Sequence, residues 1–199
     1  MTSEYHSDPG VRLMLSWQEG DETAFDRLVE SYSGQVYALL TRFLGRRPGL
    51  EDLVQEVFLR VVRARERYQP TARFSTWIYR IVFNMAVNET QRSTGDPISL
   101  DRPSASEEGG SLELRDPSVA DPSSGLEQDD VVRAVRQAIE ALPEKQRMAL
   151  ILAKYHDTPY AEIARVLDSS EKAIKSLIHR ARESLRVTLE PFLQQGETA

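Results

Sequence analysis

The side chains best suited to bind a nucleic acid lie near the C-terminus of this sequence. Basic and small polar residues recur there every three or four positions, at Lys172, Lys175, Ser176, His179 and Arg180. Apolar residues occupy the intervening positions, so the spacing predicts a helix with one cationic face and one buried face. Cationic and hydroxyl side chains on a rigid helix can donate hydrogen bonds to base edges and phosphates in the DNA major groove.

A shorter helix is expected just before the cationic one and would hold it in place. Thr158 is expected to cap this helix with its side chain, and Pro159 fits the first helical position. Residues 168–170 would form the turn, with Ser169 capping the second helix. The pattern predicts a DNA-reading helix-turn-helix. The alternative is a pair of amphipathic helices whose basic face is only solvated. The small Ala164 at the crossing, together with the turn and the one-sided charge, favours DNA binding.

The charge distribution argues against a protein that binds duplex DNA unaided. The net charge is −6, and residues 93–130 carry 10 acidic and 2 basic side chains. Neutralising phosphates supplies most of the affinity of such proteins, and here that source is small. Either a partner brings the chain to DNA, or the acidic segment masks the basic face until a partner arrives.

Several other functions find no support in the composition. There is no cysteine, which excludes disulfides and thiolate metal sites, and three scattered histidines do not make a metal site. We expect no cofactor and no membrane insertion, because no apolar run approaches the ~20 residues that span a bilayer. The N-terminus does not resemble a signal peptide, so the protein is expected to be cytoplasmic. No phosphate-binding loop, activated nucleophile or carboxylate pair suggests an enzyme.

The same composition predicts an all-α protein of two helical domains joined by a flexible acidic linker. Residues 93–125 are rich in Pro, Gly, Ser, Asp and Glu and cannot bury enough apolar surface to order themselves. They separate an N-terminal domain, residues 1–92, from the helix-turn-helix domain, residues 126–199. Apolar periodicity in the first domain predicts helices that start at Asp21, near Leu50 and near Phe74.

The third of these helices combines a core stripe with unusual outward residues. Trp77 falls in the apolar stripe, whereas Arg80 and Asn84 face outward with Tyr79 and Phe83 on the flank. Aromatic side chains beside Arg and Asn suit stacking on unpaired bases and gripping a nucleic-acid backbone. Of the aromatic residues, Phe83 is predicted to be the better surface candidate and Trp77 to be core.

Four segments, taken in order, resemble the extracytoplasmic-function (ECF) sigma factors of the sigma-70 family. These segments read DLVQEVFLRV at 52–61, FSTWIYRIVFN at 74–84, LPEKQRMALIL at 142–152, and YAEIARVL at 160–167 with AIKSLIHRARESL at 173–185. The resemblance covers nearly the whole chain. It would explain the missing basic excess, because such proteins bind DNA as a subunit of the RNA polymerase holoenzyme.

The resemblance implies roles for residues of the N-terminal domain. The helix around Asp52 would dock on the clamp coiled coil of the largest polymerase subunit, with Asp52, Gln55 and Glu56 as the contacts; the polymerase flap would be a second contact. The resemblance assigns the following loop and helix to the promoter −10 element. The residues implied there are Thr71, Ala72, Arg73 and Phe74 around a flipped base, and Arg80, Asn84 and Asn88 along the DNA edge and strand.

In the C-terminal domain the resemblance implies that the basic face reads the promoter −35 element. Lys172, Ala173 and Leu177 depart from the residues common in the family at these positions. An exposed Leu177 would suit thymine methyl groups or a protein surface, so either the DNA preference is atypical or the helix packs against a partner.

The family plan also implies regulation by an anti-sigma factor that clamps the two domains together and hides their binding faces. Two alternatives from the residues themselves stay open. The acidic linker could rest on Lys175 and Arg180 as a mimic of DNA. A helix-turn-helix regulator that acts as a dimer, without joining the polymerase, would predict symmetric half-sites and a dimerisation surface.

Overall fold

The computed structural model describes residues 4–95 and 125–195, all of which are helix, turn or connecting loop, with no strand among them. The predicted linker lies almost wholly outside these residues. Two short 3₁₀ turns cover Glu4–Ser7 and Arg65–Arg67. The α-helices are α1 Pro9–Gln18, α2 Thr23–Leu44, α3 Leu50–Ala64, α4 Phe74–Gly95, α5 Gly125–Glu140, α6 Glu144–Tyr155, α7 Tyr160–Val166 and α8 Glu171–Gln195.

The predicted all-α architecture is confirmed, and the first predicted helix starts as expected. The carboxylate of Asp21 accepts hydrogen bonds from the Thr23 amide at 3.1 Å and the Thr23 hydroxyl at 2.6 Å. Helix α2 ends at Gly45 and α3 is preceded by Gly49, with φ angles of +77° and +84°. These left-handed conformations favour glycine, so the two residues allow the sharp reversal between α2 and α3.

Helix α1 was not predicted from the sequence, and it is tied to both α2 and α4. Pro9 occupies the first turn, and the Asp8 carboxylate accepts a hydrogen bond from the Val11 amide at 3.0 Å. The same Asp8 oxygen lies 3.4 Å from the Phe74 amide, at the first residue of α4. One carboxylate therefore serves the N-termini of two helices, where the positive ends of both helix dipoles favour it.

The two helix caps predicted in the C-terminal part were each wrong by one residue. The Thr158 hydroxyl donates back to the His156 carbonyl, and Pro159 stands at the N-cap of α7 without a side-chain cap. Ser170, rather than Ser169, caps α8 by accepting from the Ala173 amide at 3.2 Å. Asp168 adopts a positive φ of 49° and turns the chain between α7 and α8, a conformation that Asp tolerates better than most residues.

The N-terminal unit, α1 to α4, and the C-terminal unit, α5 to α8, pack directly against each other. Helix α6 lies on α2, and α7 lies on α4. Buried side chains from both units, including Phe43, Tyr79, Met148 and Ile163, belong to one apolar core. The described residues thus form a closed arrangement that the expectation of two loosely tethered domains did not include.

A buried arginine joins helix ends from both units. Arg147 of α6 donates to the carbonyl of Phe43 near the end of α2 at 2.9 Å, and to the carbonyls of Glu140 and Leu142 after α5, the latter at 3.0 Å. Its guanidinium also lies over the Phe43 ring, 5.0 Å from the centroid. Carbonyls at helix C-termini lack intrahelical donors, so this cation satisfies groups of two helices at once.

Candidate nucleic-acid interface

The cationic face predicted in the C-terminal part is present on α8. Lys172, Lys175, His179 and Arg180 are exposed and Ser176 is partly exposed. The ammonium of Lys175 lies 3.3 Å from the carboxylate of Glu171, one turn earlier. Since that pair is at the surface, it holds Lys175 only weakly and leaves it available to a phosphate or a base edge.

Helix α8 is fixed by burial of its opposite face. Ile174, Ile178 and Ala181 are buried, and Ala164 of α7 is 7% exposed where the two helices cross. The expectation of an exposed Leu177 was wrong, because this side chain is partly buried and packs against the core. Leu177 therefore contributes to packing.

The loop before α4 and the first turn of α4 differ sharply in exposure. Thr71 and Arg73 are exposed and Ala72 is partly exposed, whereas Phe74 is fully buried. The Phe74 ring packs on Tyr32, with 4.8 Å between centroids. Phe74 thus anchors the loop to the core, and its neighbours carry the groups that could meet a ligand.

Further along α4, Arg80, Asn84 and Asn88 are all exposed at a spacing of four residues, which puts them on one side of the helix.

A cleft of about 460 Å³ lies between the end of α3, the loop and α4. Its cationic rim is formed by Arg60, Arg63 and Arg67, and its aromatic wall by Tyr68 and Trp77, whose ring centroids are 5.0 Å apart. Cations around aromatic faces are the combination that binds unpaired nucleotides. The sequence did not indicate that Arg60 and Arg63 lie next to this loop.

Tyr68 was not predicted from the sequence as a residue of the site. It is 6% exposed, and its hydroxyl has no hydrogen-bond partner. Burial raises the pKa of this phenol, and the nearby Asp8 carboxylate raises it further. Tyr68 therefore remains neutral near pH 7.

The expected exposure of the α4 aromatic residues was wrong. Phe83 is 8% exposed and packs edge-on against Phe43, with 6.2 Å between centroids. Tyr79 is 3% exposed, and its hydroxyl donates to Gln35 at 2.9 Å and contacts His156 Nδ1 at 3.1 Å. Trp77 is the partly exposed ring that lines the cleft. Helix α4 contacts α1, α2, α3 and α7, so periodicity along it does not reveal which side faces solvent.

The outer face of α3 carries a polar and an apolar part. Asp52 and Gln55 are exposed, and Glu56 is partly exposed. Leu59 and Val62 continue the same face with 50% and 41% exposure. Large exposed apolar side chains in line with polar ones are typical of a protein-binding surface. Sequence reasoning found the polar members but not Leu59 and Val62, although their three-residue spacing continues that of the polar residues.

The carboxylate of Glu56 is already engaged within α3. It accepts from Arg60 at 3.1 Å and from Arg63 at 3.3 Å. The hydrogen bond from Arg60, followed by the charges of Arg63 and Arg60, lowers the pKa of Glu56. Glu56 thus stays ionised and links the outer face of α3 to the cationic rim of the cleft.

Polar contacts from the C-terminal unit cover the start of α4. The Thr76 hydroxyl donates to the Glu162 carboxylate at 2.6 Å, and the guanidinium of Arg165 lies 3.4 Å from the Thr71 carbonyl. His156 packs under Tyr79, where burial, and secondarily the charge of Arg42, lower the pKa of its imidazole to about 4. His156 is therefore neutral near pH 7.

Among residues 4–95 and 125–195, no three His, Cys, Asp or Glu side chains are grouped as metal ligands. None of the helices in that same part of the chain is long and apolar enough to cross a membrane.

Sequence comparisons match both units. The family model for sigma-70 region 2 matches residues 28–94, and the model for sigma-70 region 4 matches residues 132–185. The chain is 32% identical over 187 residues to the RNA polymerase sigma-H factor of Pseudomonas aeruginosa, covering 93% of this chain and 96% of the relative. It is 30% identical over 182 residues to the ECF RNA polymerase sigma-E factor of Escherichia coli, covering 89% of this chain and 93% of that protein.

Solved structures share the fold. CnrH in complex with the cytosolic domain of CnrY superposes with a TM-score of 0.66 at 22% identity, covering 92% of this chain and 99% of the other. The sigma factor RpoE in complex with the anti-sigma factor NepR, from Bartonella quintana, gives a TM-score of 0.58 at 19% identity, with 83% and 96% coverage.

Proposed function

Since the chain belongs to the ECF sigma factors of the sigma-70 family, we propose that it binds core RNA polymerase and directs initiation at promoters with its own −10 and −35 elements. The observation that carries this proposal is that one chain has two unlike surfaces with side chains suited to nucleic acids, the cationic side of α8 and the cleft beside α4. A dimeric helix-turn-helix regulator would use two copies of one face instead. In this proposal residues 1–92 and 126–199 are the functional domains, joined by residues 93–125.

The surface proposed to dock on polymerase is the outer face of α3. Asp52, Gln55 and Glu56 supply charge and amide groups for arginines of the clamp coiled coil. Leu59 and Val62 supply exposed apolar area next to them. Apolar anchors beside polar groups give an interface both affinity and orientation. We propose the polymerase flap as the contact of the C-terminal unit.

The cleft beside α4 is proposed to hold a −10 base extruded from the non-template strand. Thr71, Ala72 and Arg73 lie on the exposed loop, and Phe74 fixes that loop from within the core. Extruding a base costs a few kcal/mol of unstacking, which stacking on Trp77 can offset, at about 1–3 kcal/mol per stacked base. Arg80, Asn84 and Asn88 would follow the DNA along the exposed side of α4.

The exposed face of α8 is proposed to read the −35 element in the major groove. Lys175 and Arg180 can donate to guanine edges or phosphates, and Ser176 and His179 can add shorter hydrogen bonds. Lys172, at the start of the helix, suits a phosphate. Each good base contact contributes about 1–3 kcal/mol of discrimination.

Regulation by an anti-sigma factor is part of the proposal. CnrH and the Bartonella RpoE, which share this fold, are described in complexes with CnrY and with the anti-sigma factor NepR. We propose that a comparable protein controls this chain. We also propose that the chain acts in the cytoplasm, where the polymerase is, and that it has no enzymatic activity of its own.

The experiment that tests the function is gel filtration of the chain with bacterial core RNA polymerase. The wild type is expected to co-elute, whereas the double variant Asp52→Arg, Glu56→Arg is expected to elute alone. The matched control is Asp26→Arg, Glu30→Arg, which changes the same charge at the same four-residue spacing on exposed positions of α2. A wild-type chain that is folded but never co-elutes would favour the dimeric regulator. Co-elution of the α3 variant would remove the docking role of that face.

A further inference from the structure

An acidic side chain of the C-terminal unit reaches the first turn of α4. Glu162 of α7 accepts a hydrogen bond from Thr76, two residues after the start of α4. Thr76 is 4% exposed, and the side chain of Glu162 is 13% exposed. The contact is therefore shielded from water, where a charge-assisted hydrogen bond is stronger than at the surface. The positive end of the α4 dipole adds to the attraction.

The surroundings of this contact belong to the proposed −10 surface. Arg73 and Ser75 line the same small cleft, of about 150 Å³, together with Glu162 and Asp157. Next to it, Arg165 of α7 contacts the Thr71 carbonyl. Helix α7 thus lies against the loop and the start of α4, from which an unpaired strand would have to be bound.

We propose that α7 closes over the −10 surface in the free chain, and that the Glu162 carboxylate occupies the place of a DNA phosphate at the start of α4. The inference rests on the proposed function, because it takes α4 as the −10 reader. The chain inhibits itself by this contact, without a second protein. A carboxylate and a phosphate compete here for the Thr76 hydroxyl and for the positive end of the α4 dipole, and Arg73 lines the same cleft.

The closure is one-sided. Helix α7 covers the start of α4 with Glu162 and Arg165, while Lys172, Lys175 and Arg180 on α8 remain exposed. The closed chain can therefore still meet duplex DNA through α8 but cannot present α4 to an unpaired strand. Reading of the −10 element requires the two units to separate first, and docking of α3 on the polymerase offers a competing state in which they do.

The test uses two variants that weaken the contact from opposite sides. Thr76→Val removes the donor with no change in charge or shape. Glu162→Gln removes the negative charge, and its matched control is Glu190→Gln, an exposed position of α8 away from α4. The chain contains no cysteine, so Glu30→Cys and Lys154→Cys, one exposed position in each unit, can carry a fluorescent donor and acceptor.

Energy transfer between the dyes reports closure, and fluorescence anisotropy with a random 20-nucleotide single-stranded DNA reports access to α4. Both Thr76→Val and Glu162→Gln are expected to lower the transfer efficiency. Glu162→Gln, which leaves the Thr76 hydroxyl available to a phosphate, is also expected to tighten DNA binding about tenfold, the effect of losing one charge-assisted hydrogen bond. Glu190→Gln should change binding less than twofold. Unchanged transfer in both variants, or equal gains from Glu162→Gln and Glu190→Gln, would overturn the proposal.

Gel filtration with core polymerase separates this proposal from the one it rests on. If wild type and variants all co-elute while transfer and DNA binding do not respond, the self-closure is wrong and the sigma-factor role stands. If the folded wild type does not co-elute, the proposed function itself is wrong. Thermal unfolding of each variant identifies any loss of binding that results from misfolding.

Discussion

Replacing Gly10 with alanine should destabilise the protein, although alanine is the better helix former. A Cβ atom at Gly10 would lie 2.4 Å from the Tyr32 hydroxyl, and 2.6 Å and 2.8 Å from Cβ and Cγ of Phe74. The Tyr32 hydroxyl could swing away, but Phe74 is fully buried and its Cβ moves only with the backbone of α4. Helix α1 would have to shift away from α2 and α4.

Two opposing terms set the size of the effect. Alanine in place of glycine favours a helix by up to about 1 kcal/mol. Overpacking of a closed contact costs about 1–3 kcal/mol. Contacts well below 3.0 Å to a buried side chain put Gly10 at the upper end of that cost, so the net loss is expected to be about 1–2 kcal/mol. For a chain of this size the melting temperature should fall by about 2–8 °C.

The matched control is Gly34→Ala in the middle of α2. A Cβ atom there would meet nothing within 4 Å, so only the helix preference acts. Gly34→Ala should therefore gain about 0.5–1 kcal/mol. Urea unfolding followed by tryptophan fluorescence is the suitable assay, because both tryptophans, Trp17 and Trp77, lie in the N-terminal unit. A Gly10→Ala chain as stable as the wild type would refute the close seating of α1 on Phe74.

Two other changes test the contacts between the units. Arg147→Met should lower the free energy of unfolding by about 2–4 kcal/mol, because three carbonyls lose their donor; Arg147→Lys should rescue only part, and unfolding followed by circular dichroism gives the values. Burial lowers the pKa of His156 from 6.5 to about 4. The packed units therefore favour the neutral imidazole, because a proton on its buried Nε2 would have no acceptor. The contact is thus fully stable above pH 6.5 and weakens as the pH falls toward 4, by about 2 kcal/mol at pH 5. Energy transfer between the units should fall over that range, and His156→Gln should flatten the profile. An equally steep profile in the variant would exclude His156 as the cause.

Periodicity predicted the long amphipathic helices and both faces of α8. Such predictions succeed where a helix has one buried side and one solvent-exposed side, as α8 does. Helix α4 is packed on several sides, so the sequence could not tell that Phe83 is buried and that Trp77 reaches the cleft. Helix α1 was missed although Val11, Met14 and Trp17 recur every three residues after the Asp8-Pro9 start, because the helix is only ten residues long.

Contacts between distant segments could not be predicted from the sequence at all. Glu162 and Thr76 are 86 positions apart, and nothing in their local sequence indicates that they meet. The same holds for Tyr68 and the arginines of α3, which meet only because α3 and α4 pack together. Helix faces follow from local spacing, whereas the cleft and the closure follow from the tertiary arrangement.

The carboxylate of Asp8 has a consequence for the order in which the chain can fold during synthesis. Asp8 emerges from the ribosome before its partner amide at Phe74, which is made 66 residues later. The start of α4 therefore gains this partner only when the first and last helices of the N-terminal unit meet. The Phe43 carbonyl gains its hydrogen-bond donor later still, since Arg147 is made 104 residues after Phe43. The N-terminal unit thus reaches its final contacts in two steps, and water satisfies the Phe43 carbonyl at the end of α2 until the C-terminal unit has been made.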